Sequence, residues 1–362
     1  MISIVLPDLR GGGAERVGLD IARGFSALGH DVEFILMRAT GEFLPPACNE
    51  FSVVELNASK VRAVPTIFAR YLRAKKPDAV IANMWPLTSA AACGRALSRQ
   101  HCRLLLVDHS TLSRAYASWG RFHNAMMRAT MSATYRMADC VAGVSDGVAR
   151  DIERLAGLSQ GSVAVLHNPI PQRAMPNGHA PAEAEALWNG QRGGRILTVG
   201  SLKDAKNHPL LLHAFAQSSR PTSTLMFLGQ GQNEPMLRAL AADLGVADRV
   251  IFAGFHADPS PFYATADLFV LSSDYEGFGN VIVEALSFGL PVVSTDCPSG
   301  PAEILENGRW GRLTPVGDAE ALARAMDEAL STPVDREALK RRAADFSPEI
   351  AARKYLDLLG LS

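Results

Sequence analysis

Short apolar runs alternate with longer helical patterns along nearly the whole chain, and this alternation constrains the fold more than any other feature. Residues 2–6, 31–37, 79–83, 103–108 and 140–144 read as strands in the first half, with helices expected at 14–28, 61–75, 86–97 and 122–137. In the second half strands are expected at 195–200, 224–228, 250–253, 268–271 and 291–294. Helices there are expected at 209–217, 234–244, 280–289, 318–330 and 348–359. A strand followed by a crossover helix, repeated, folds as a parallel sheet with right-handed connections. The pattern breaks once, at 168–194, where Pro169, Pro171, Pro176 and Pro181 fall among glycines. With 362 residues, two domains are expected. The α/β reading is therefore two doubly wound, Rossmann-like domains: 1–168, a linker over 169–194, and 195–345. The last segment, 346–362, is expected to pack back on the first domain.

Composition excludes several functions. A net charge of −1 argues against a dedicated nucleic-acid binder. Residues 1–190 nevertheless carry 20 Lys/Arg against 16 Asp/Glu, and the remainder 16 against 21, so the first half is the side to meet an anion. Five cysteines with no Cys-x-x-Cys pair fit neither a disulfide framework nor a zinc site, and suit a reducing cytosol. The N-terminus lacks the basic start and long apolar run of a signal peptide, and no apolar run reaches membrane-spanning length.

Chemistry concentrates in Glu276-Gly277-Phe278-Gly279-Asn280-Val281-Ile282-Val283-Glu284. Glu284 falls in an apolar helix with no Lys or Arg within a turn, so its partner is distant in sequence or is a ligand. A hydroxyl-rich ligand suits a carboxylate, which only accepts hydrogen bonds. The backbone N–H groups of Phe278, Gly279 and Asn280 are expected at a helix start, which favours anions. Two further loops follow strands. Gly12 and Gly13 precede a helix, with a tight turn carrying Glu15 as the plain alternative; Ser201, Lys203 and Lys206 precede another, with an ordinary solvated loop as the alternative. Gly229-Gln230-Gly231 reads more simply as a turn. His109 ends a strand, where a structural role competes with a functional one. Segment 60–76 is basic, acid-free and amphipathic, broken by Pro65. It reads either as a membrane-surface helix or as a sheet-covering helix with a solvated basic face. Trp119, Arg121, Phe122 and Arg128 extend such a surface more weakly.

Taken together, these motifs resemble the retaining glycosyltransferases of the GT-B fold, family four. The Glu-Gly-Phe-Gly-Asn-x3-Glu-Ala stretch resembles that family's Glu-x7-Glu motif, Gly12–Arg16 its glycine loop, and Asp108-His109 its acidic-His pair. The segment 296–301 is similar to that of bacterial members building cell-surface glycans. The resemblance implies that Glu284 accepts the ribose hydroxyls of a nucleotide and Glu276 contacts the donor sugar. It implies that Lys206, with the N–H groups of Gly12, Gly13, Phe278 and Gly279, neutralises a diphosphate, that His109 lies beside the reacting carbon, and that Phe255 and His256 line the base. Ser201 departs from the family's usual Arg, so Lys203 is the expected substitute, and the two cations are not interchangeable at a bidentate site.

The function so implied is transfer of a sugar, with retention, from a nucleotide diphosphate sugar, a UDP-sugar foremost, to a glycan or lipid-linked acceptor in surface polysaccharide, lipopolysaccharide or glycoprotein assembly. No cofactor is expected, and no metal, since no Asp-x-Asp motif is present. The expected location is the cytoplasm, peripheral on the inner membrane face, with 60–76 as the expected contact with an anionic membrane. A nucleotide-sugar epimerase on the same architecture and a non-catalytic nucleotide-sugar binder are the alternatives.

Overall fold

The computed structural model describes residues 1–362 except Gly11, 174–179 and 189–192. The chain forms two compact units, Met1–Pro171 with Phe346–Ser362, and Gln172–Asp345. Each is built on one all-parallel sheet.

The first sheet has strands β1 (Ile2–Leu6), β2 (Val32–Leu36), β3 (Ser52–Glu55), β4 (Ala79–Asn83), β5 (Arg103–Asp108), β6 (Cys140–Gly143) and β7 (Ala164–Val165). Their order is β3-β2-β1-β4-β5-β6-β7. The central β1 and β4 are buried on both faces, as continuous apolar runs in a parallel sheet must be. The helix Gly13–Ala27 packs against the C-terminal helix Pro348–Leu359, which belongs to this unit. Gly24 permits the approach: a Cβ there would lie 2.9 Å from Ala352 Cβ. Beside it, Phe25 meets Tyr355 edge-on at 6.1 Å.

Three other helices, Val64–Lys75, Leu87–Ser98 and Arg121–Thr134, lie side by side. Here two expectations change. Pro65 does not break the first of them; it occupies the opening turn, where no backbone N–H is needed. Val64, Phe68 and Leu72 are buried, and Gly94 of the next helix fits against Phe68. The apolar face of 60–76 is therefore used inside the unit, and its lysines and arginines face out alone.

The second sheet has β8 (Arg195–Val199), β9 (Thr224–Leu228), β10 (Val250–Gly254), β11 (Leu268–Leu271), β12 (Val292–Thr295) and β13 (Arg312–Thr314), in the order β10-β9-β8-β11-β12-β13. Its core gathers Leu211, Phe215, Phe227, Leu237, Leu322 and Met326. The proline-rich stretch expected as linker is not wholly irregular. A helix, Ala180–Leu187, lies inside it, followed by a wholly buried Trp188 whose indole N–H donates to Thr265 Oγ1 at 3.0 Å. Residues 174–179 and 189–192 of that stretch lie outside the described residues.

Strand order reverses between β1 and β4 in the first sheet and between β8 and β11 in the second. Such switch points leave a crevice beyond the carboxyl ends of the strands, where open α/β sheets bind ligands. Gly12 and Gly13 follow β1; Ser201, Lys203 and Lys206 follow β8; Glu276 follows β11.

Candidate functional site

In the second unit the lysine loop and the acidic loop are joined. Lys206 Nζ donates to Glu276 Oε1 at 2.6 Å, and Ser273 Oγ donates to the same oxygen at 2.6 Å. Both members of the ion pair are mostly covered, at 14 and 12% side-chain exposure. Three more bonds hold the loops in register. Ser272 Oγ donates to the Lys206 carbonyl at 2.8 Å, the Asp274 N–H to the Ala205 carbonyl at 2.9 Å, and Asn207 Nδ2 to Asp274 Oδ1 at 2.7 Å. Asn207 also caps the helix His208–Gln217 from a left-handed conformation. Lys203 lies nearby, its side chain exposed along much of its length while neighbouring atoms close over its ammonium. Burial of its ammonium, and then repulsion from Lys206, hold its pKa below the ordinary lysine value. Two cations that repel each other at a strand's carboxyl end suit an anion that both can reach.

Glycines permit these close approaches. Gly200, at φ 149°, lies under Lys206, whose Cε would be 3.3 Å from a Cβ there. A Cβ at Gly229 would sit 2.0 Å from the Gly200 carbonyl oxygen, and one at Gly231 2.3 Å from that of Leu202. The Gly229–Gly231 turn thus braces the Ser201–Lys203 loop from behind. Ser201 and Lys203 lie on the exposed side of that loop.

The helix Asn280–Ser287 starts as expected at the glycine turn, with Gly279 as N-cap at φ 98°. Phe278 is buried and Asn280 half-buried. The segment 296–301 supports the turn: the Glu276 N–H donates to the Pro298 carbonyl at 3.4 Å, and a Cβ on Gly300 would lie 1.7 Å from the Phe278 carbonyl oxygen.

Glu284 is half-buried rather than enclosed, because its side of the helix is the less covered one. Its partner is distant in sequence: the Tyr263 hydroxyl donates to Oε2 at 3.0 Å. Burial raises the Glu284 pKa, opposed by the positive charge of Arg173 and by the Tyr263 bond. Arg173 in turn bonds Asp258 at 2.7 Å. Phe255 and His256 follow β10 and are exposed; the His256 ring meets Phe262, the neighbour of Tyr263, edge-on at 4.6 Å. The expected base and ribose residues therefore share one neighbourhood. Glu284 is the fifth residue beyond the Gly279 cap, about 7 Å along the axis at 1.5 Å per residue.

In the first unit Gly12 is the N-cap of Gly13–Ala27, and both glycines are exposed. The Glu15 carboxylate folds over Gly12: its Oε2 lies 2.2 Å from where a Cβ would be. Burial raises the Glu15 pKa. The first-turn carboxylate is thus packed against the glycine turn itself.

Asp108 ends β5 and His109 follows it, and the two side chains take different partners. Asp108 is buried and accepts from the Tyr135 hydroxyl and, at 2.8 Å, from the Trp85 N–H. Burial pushes its pKa up to about 6 despite both bonds. His109 turns to Asn83, whose Nδ2 donates to the Val5 and Ile81 carbonyls at 3.2 and 3.3 Å, so its Oδ1 meets His109 Nε2 at 2.9 Å. In this arrangement Nε2 carries the proton. Burial pushes the His109 pKa down to about 4, against a smaller upward pull from Asn168, and the ring is neutral near pH 7.

Sequence reasoning missed Tyr263, Arg173, Ser273, Asp274 and Asn83. Nothing in their spacing marks them, because each acts on a residue 3 to 111 positions away that only folding brings near. The capping Asn207 ahead of Pro209 was the one legible signal. Among the described residues no group of three or more His, Cys, Asp or Glu side chains is gathered as a metal site, and no helix is long and apolar enough to cross a membrane.

Two parallel-sheet Rossmann-like units, with a lysine loop, a glycine turn and paired carboxylates at the switch point of the second, define the GT-B class. Residues 11–173 match the family model for Glycosyltransferase Family 4, and residues 189–346 that for Glycosyl transferases group 1. The lipopolysaccharide core biosynthesis glycosyltransferase LpsE of Rhizobium meliloti (strain 1021) is 38% identical over 169 residues, 45% of this chain and 49% of that protein. The N-acetylgalactosamine-N,N'-diacetylbacillosaminyl-diphospho-undecaprenol 4-alpha-N-acetylgalactosaminyltransferase of Campylobacter jejuni subsp. jejuni serotype O:2 is 29% identical over 241 residues, 67% of this chain and 64% of that protein. The matches thus span about half to two thirds of these relatives. Among solved structures, Anabaena Alr3699/HepE in complex with UDP-glucose superimposes with a TM-score of 0.82 over 99% of both chains at 22% identity, a likeness of fold.

Proposed function

We propose that this protein transfers a glycosyl group, with retention, from a UDP-sugar to a glycan or lipid-linked acceptor in cell-surface polysaccharide assembly. The observation that carries the reading is the joined pair of loops after β8 and β11, where Lys206 and Glu276 meet at 2.6 Å beside the glycine turn that opens the Glu284 helix. An ammonium has three N–H donors, so Lys206 can keep Glu276 while adding diphosphate oxygens. Lys203 stands near it as the substitute cation, Ser201 occupying the position of the family's usual Arg, and the helix start adds its dipole. The leaving diphosphate then departs from a site already positive. Glu284, steadied by Tyr263, accepts from the ribose hydroxyls, and Glu276 from hydroxyls of the sugar. His109, neutral and held by Asn83, presents its Nδ1 acceptor at the carboxyl end of β5. The named relatives and the neighbour solved with UDP-glucose support donor and setting by analogy.

The test is nucleotide release from UDP-, GDP- and ADP-sugars with and without acceptor, followed by the anomeric configuration of the product by NMR. Lys206→Ala and Glu276→Gln are each expected to lower kcat/KM by about 10²-fold, the range of one to two charge-assisted contacts. Near-normal turnover in either folded variant sinks the assignment. An epimerised sugar from donor alone replaces transfer with epimerisation, and tight UDP-sugar binding without turnover leaves a binding protein.

A further inference from the structure

The second unit carries a cleft at the opposite end of its sheet from the lysine and glutamate loops. Gly194, Asp267, Pro291 and Gly311, the residues just before β8, β11, β12 and β13, all line it, so it runs along the amino ends of four neighbouring strands. It lies a full strand away from the candidate site: β11, which leads from Asp267 toward the Glu276 loop, is four residues long, about 13 Å at 3.3 Å per residue. The cleft has two lobes, of about 410 and 450 Å³, which share Pro291, Ala329, Thr332 and Val334. Each is of a size that holds a small ligand. Close approaches fix the walls. A Cβ at Gly289 would lie 2.8 Å from Arg336 Cβ, one at Gly194 2.8 Å from Leu330 Cδ1, and one at Gly311 2.9 Å from the Val292 carbonyl oxygen.

The lobes differ in chemistry. One is faced by Val334, Leu339 and Trp310. The Arg309 guanidinium covers the Trp310 ring at 4.7 Å. The indole N–H is shielded from solvent and makes no hydrogen bond of good geometry, though it lies close enough to Glu306 to lower that carboxyl's pKa. The other lobe is faced by Arg220 and Arg336. The carboxylates around both lobes are engaged. Asp267 accepts the Arg195 N–H at 2.9 Å; Asp335 accepts the Ala338 N–H at 3.0 Å and meets Arg341 at 3.6 Å. Glu306 and Glu328 pair with Arg309 and Arg312 at 3.1 and 2.7 Å. Arg220 donates to two neutral oxygens, the Ser331 hydroxyl and the Asp327 carbonyl, while the Asp327 carboxylate takes Ser218 and Ser219. Arg336 is exposed and has no polar partner among the described residues. It is also the first residue of the helix Arg336–Ala344, where the helix dipole disfavours a cation. Two guanidiniums without counter-ions in one lobe fit an anion with several oxygens.

We propose that this cleft is a second ligand site and takes a phosphorylated sugar, its phosphate on Arg220 and Arg336 and its ring in the Trp310 lobe. A sugar ring supplies what that lobe asks for: C–H faces against Val334, Leu339 and the indole, and oxygens that can accept from the indole N–H. Inorganic phosphate would fill the arginine lobe alone, and an uncharged sugar would leave both guanidiniums without a counter-ion. The site stands apart from the crevice at the carboxyl ends of the strands, and it does not rest on the glycosyltransferase reading.

The experiment is titration calorimetry of the full chain, with and without excess UDP, against glucose 1-phosphate, glucose 6-phosphate, N-acetylglucosamine 1-phosphate, inorganic phosphate and glucose. In the presence of UDP at least one sugar phosphate is expected to bind at least about tenfold more tightly than inorganic phosphate, and glucose not at all. Arg336→Gln is expected to weaken that binding about tenfold, and Trp310→Phe at least about threefold. Melting should hold in both, because Arg336 is exposed and phenylalanine keeps an aromatic ring in place. Affinity for UDP alone should be unchanged in both, since neither residue lies at the carboxyl ends of the strands. The proposal is overturned if no sugar phosphate binds, if inorganic phosphate binds as tightly as every sugar phosphate, or if binding is indifferent to both substitutions. Binding that excess UDP abolishes overturns it too, by assigning the sugar phosphate to the crevice beside Lys206.

Discussion

At the scale of the residue, the site is a set of charges whose partners were chosen by the fold. Glu284 illustrates this best. Its apolar helix made an isolated carboxylate expensive, and Tyr263 and Arg173 supply what its own helix cannot. Burial already favours its protonated form, so loss of the tyrosine hydroxyl makes the carboxylate easier still to protonate. Only the ionised form offers all its lone pairs to ribose. On the proposed function, Tyr263→Phe is therefore expected to weaken UDP binding by about tenfold, and more at pH 6 than at pH 8. Titration calorimetry of UDP at the two pH values checks this; equal affinities for variant and wild type would remove Glu284 from the nucleotide site. Asn83 acts similarly on His109: its amide is turned by two backbone carbonyls, and the histidine's proton follows.

At the scale of the element, glycines set how near the loops can come. Gly300 and Gly29 share a positive φ, at 99° and 86°, but differ in surroundings. A Cβ at Gly29 meets nothing within 4 Å, whereas one at Gly300 strikes the Phe278 carbonyl oxygen at 1.7 Å. Gly29→Ala should cost about 1 kcal/mol, the left-handed strain alone. Gly300→Ala adds a backbone collision and is expected to cost about 2–4 kcal/mol while displacing the turn that opens the Asn280–Ser287 helix. Urea unfolding of both variants separates the two effects, and equal losses would show that the 296–301 segment moves freely. The edges of the sheets teach a related lesson. β3, β7 and β13 were missed in the sequence because an edge strand is short and half-exposed, without the continuous apolar run that marked β1 or β4. The bracing role of Gly229–Gly231 was equally invisible: a glycine turn looks the same whether it faces a ligand or another loop.

At the scale of the whole molecule, buried titratable groups give the two units different responses to acid. His208, buried in the second unit near Lys206, has its pKa pushed down to about 4 by burial first and by that lysine second. A histidine depressed in the folded state binds its proton more readily when unfolded, so stability is lost as pH falls from about 6.5 toward 4. Asp108 in the first unit is raised to about 6, so the folded state holds its proton more tightly and acid favours folding between about 6 and 4. His109, depressed to about 4, opposes it within the same unit. His208 by itself should cost the second unit about 2 kcal/mol between pH 7 and pH 5, with the raised Glu284 acting in the other direction. Thermal melts of the full chain at both pH values, with His208→Phe expected to flatten the difference in the second unit's transition, test this. An unchanged pH dependence in the variant would discard the assignment.

The amino-acid sequence by itself determined the two parallel sheets, the break between them and the glycine and lysine loops at strand ends, because hydrophobic period, turn residues and helix starts are local properties. It placed Glu276, Lys206 and Glu284 on the right elements for the same reason. Only the tertiary structure decided that Lys206 meets Glu276, that Tyr263 serves Glu284, and that Asp108 and His109 take different partners. It also decided that the basic helix Val64–Lys75 spends its apolar face on a neighbour while Trp119 and Phe122 keep theirs exposed. A charge pattern reads the same on a covered helix and on an open one, and burial is settled by what packs against it.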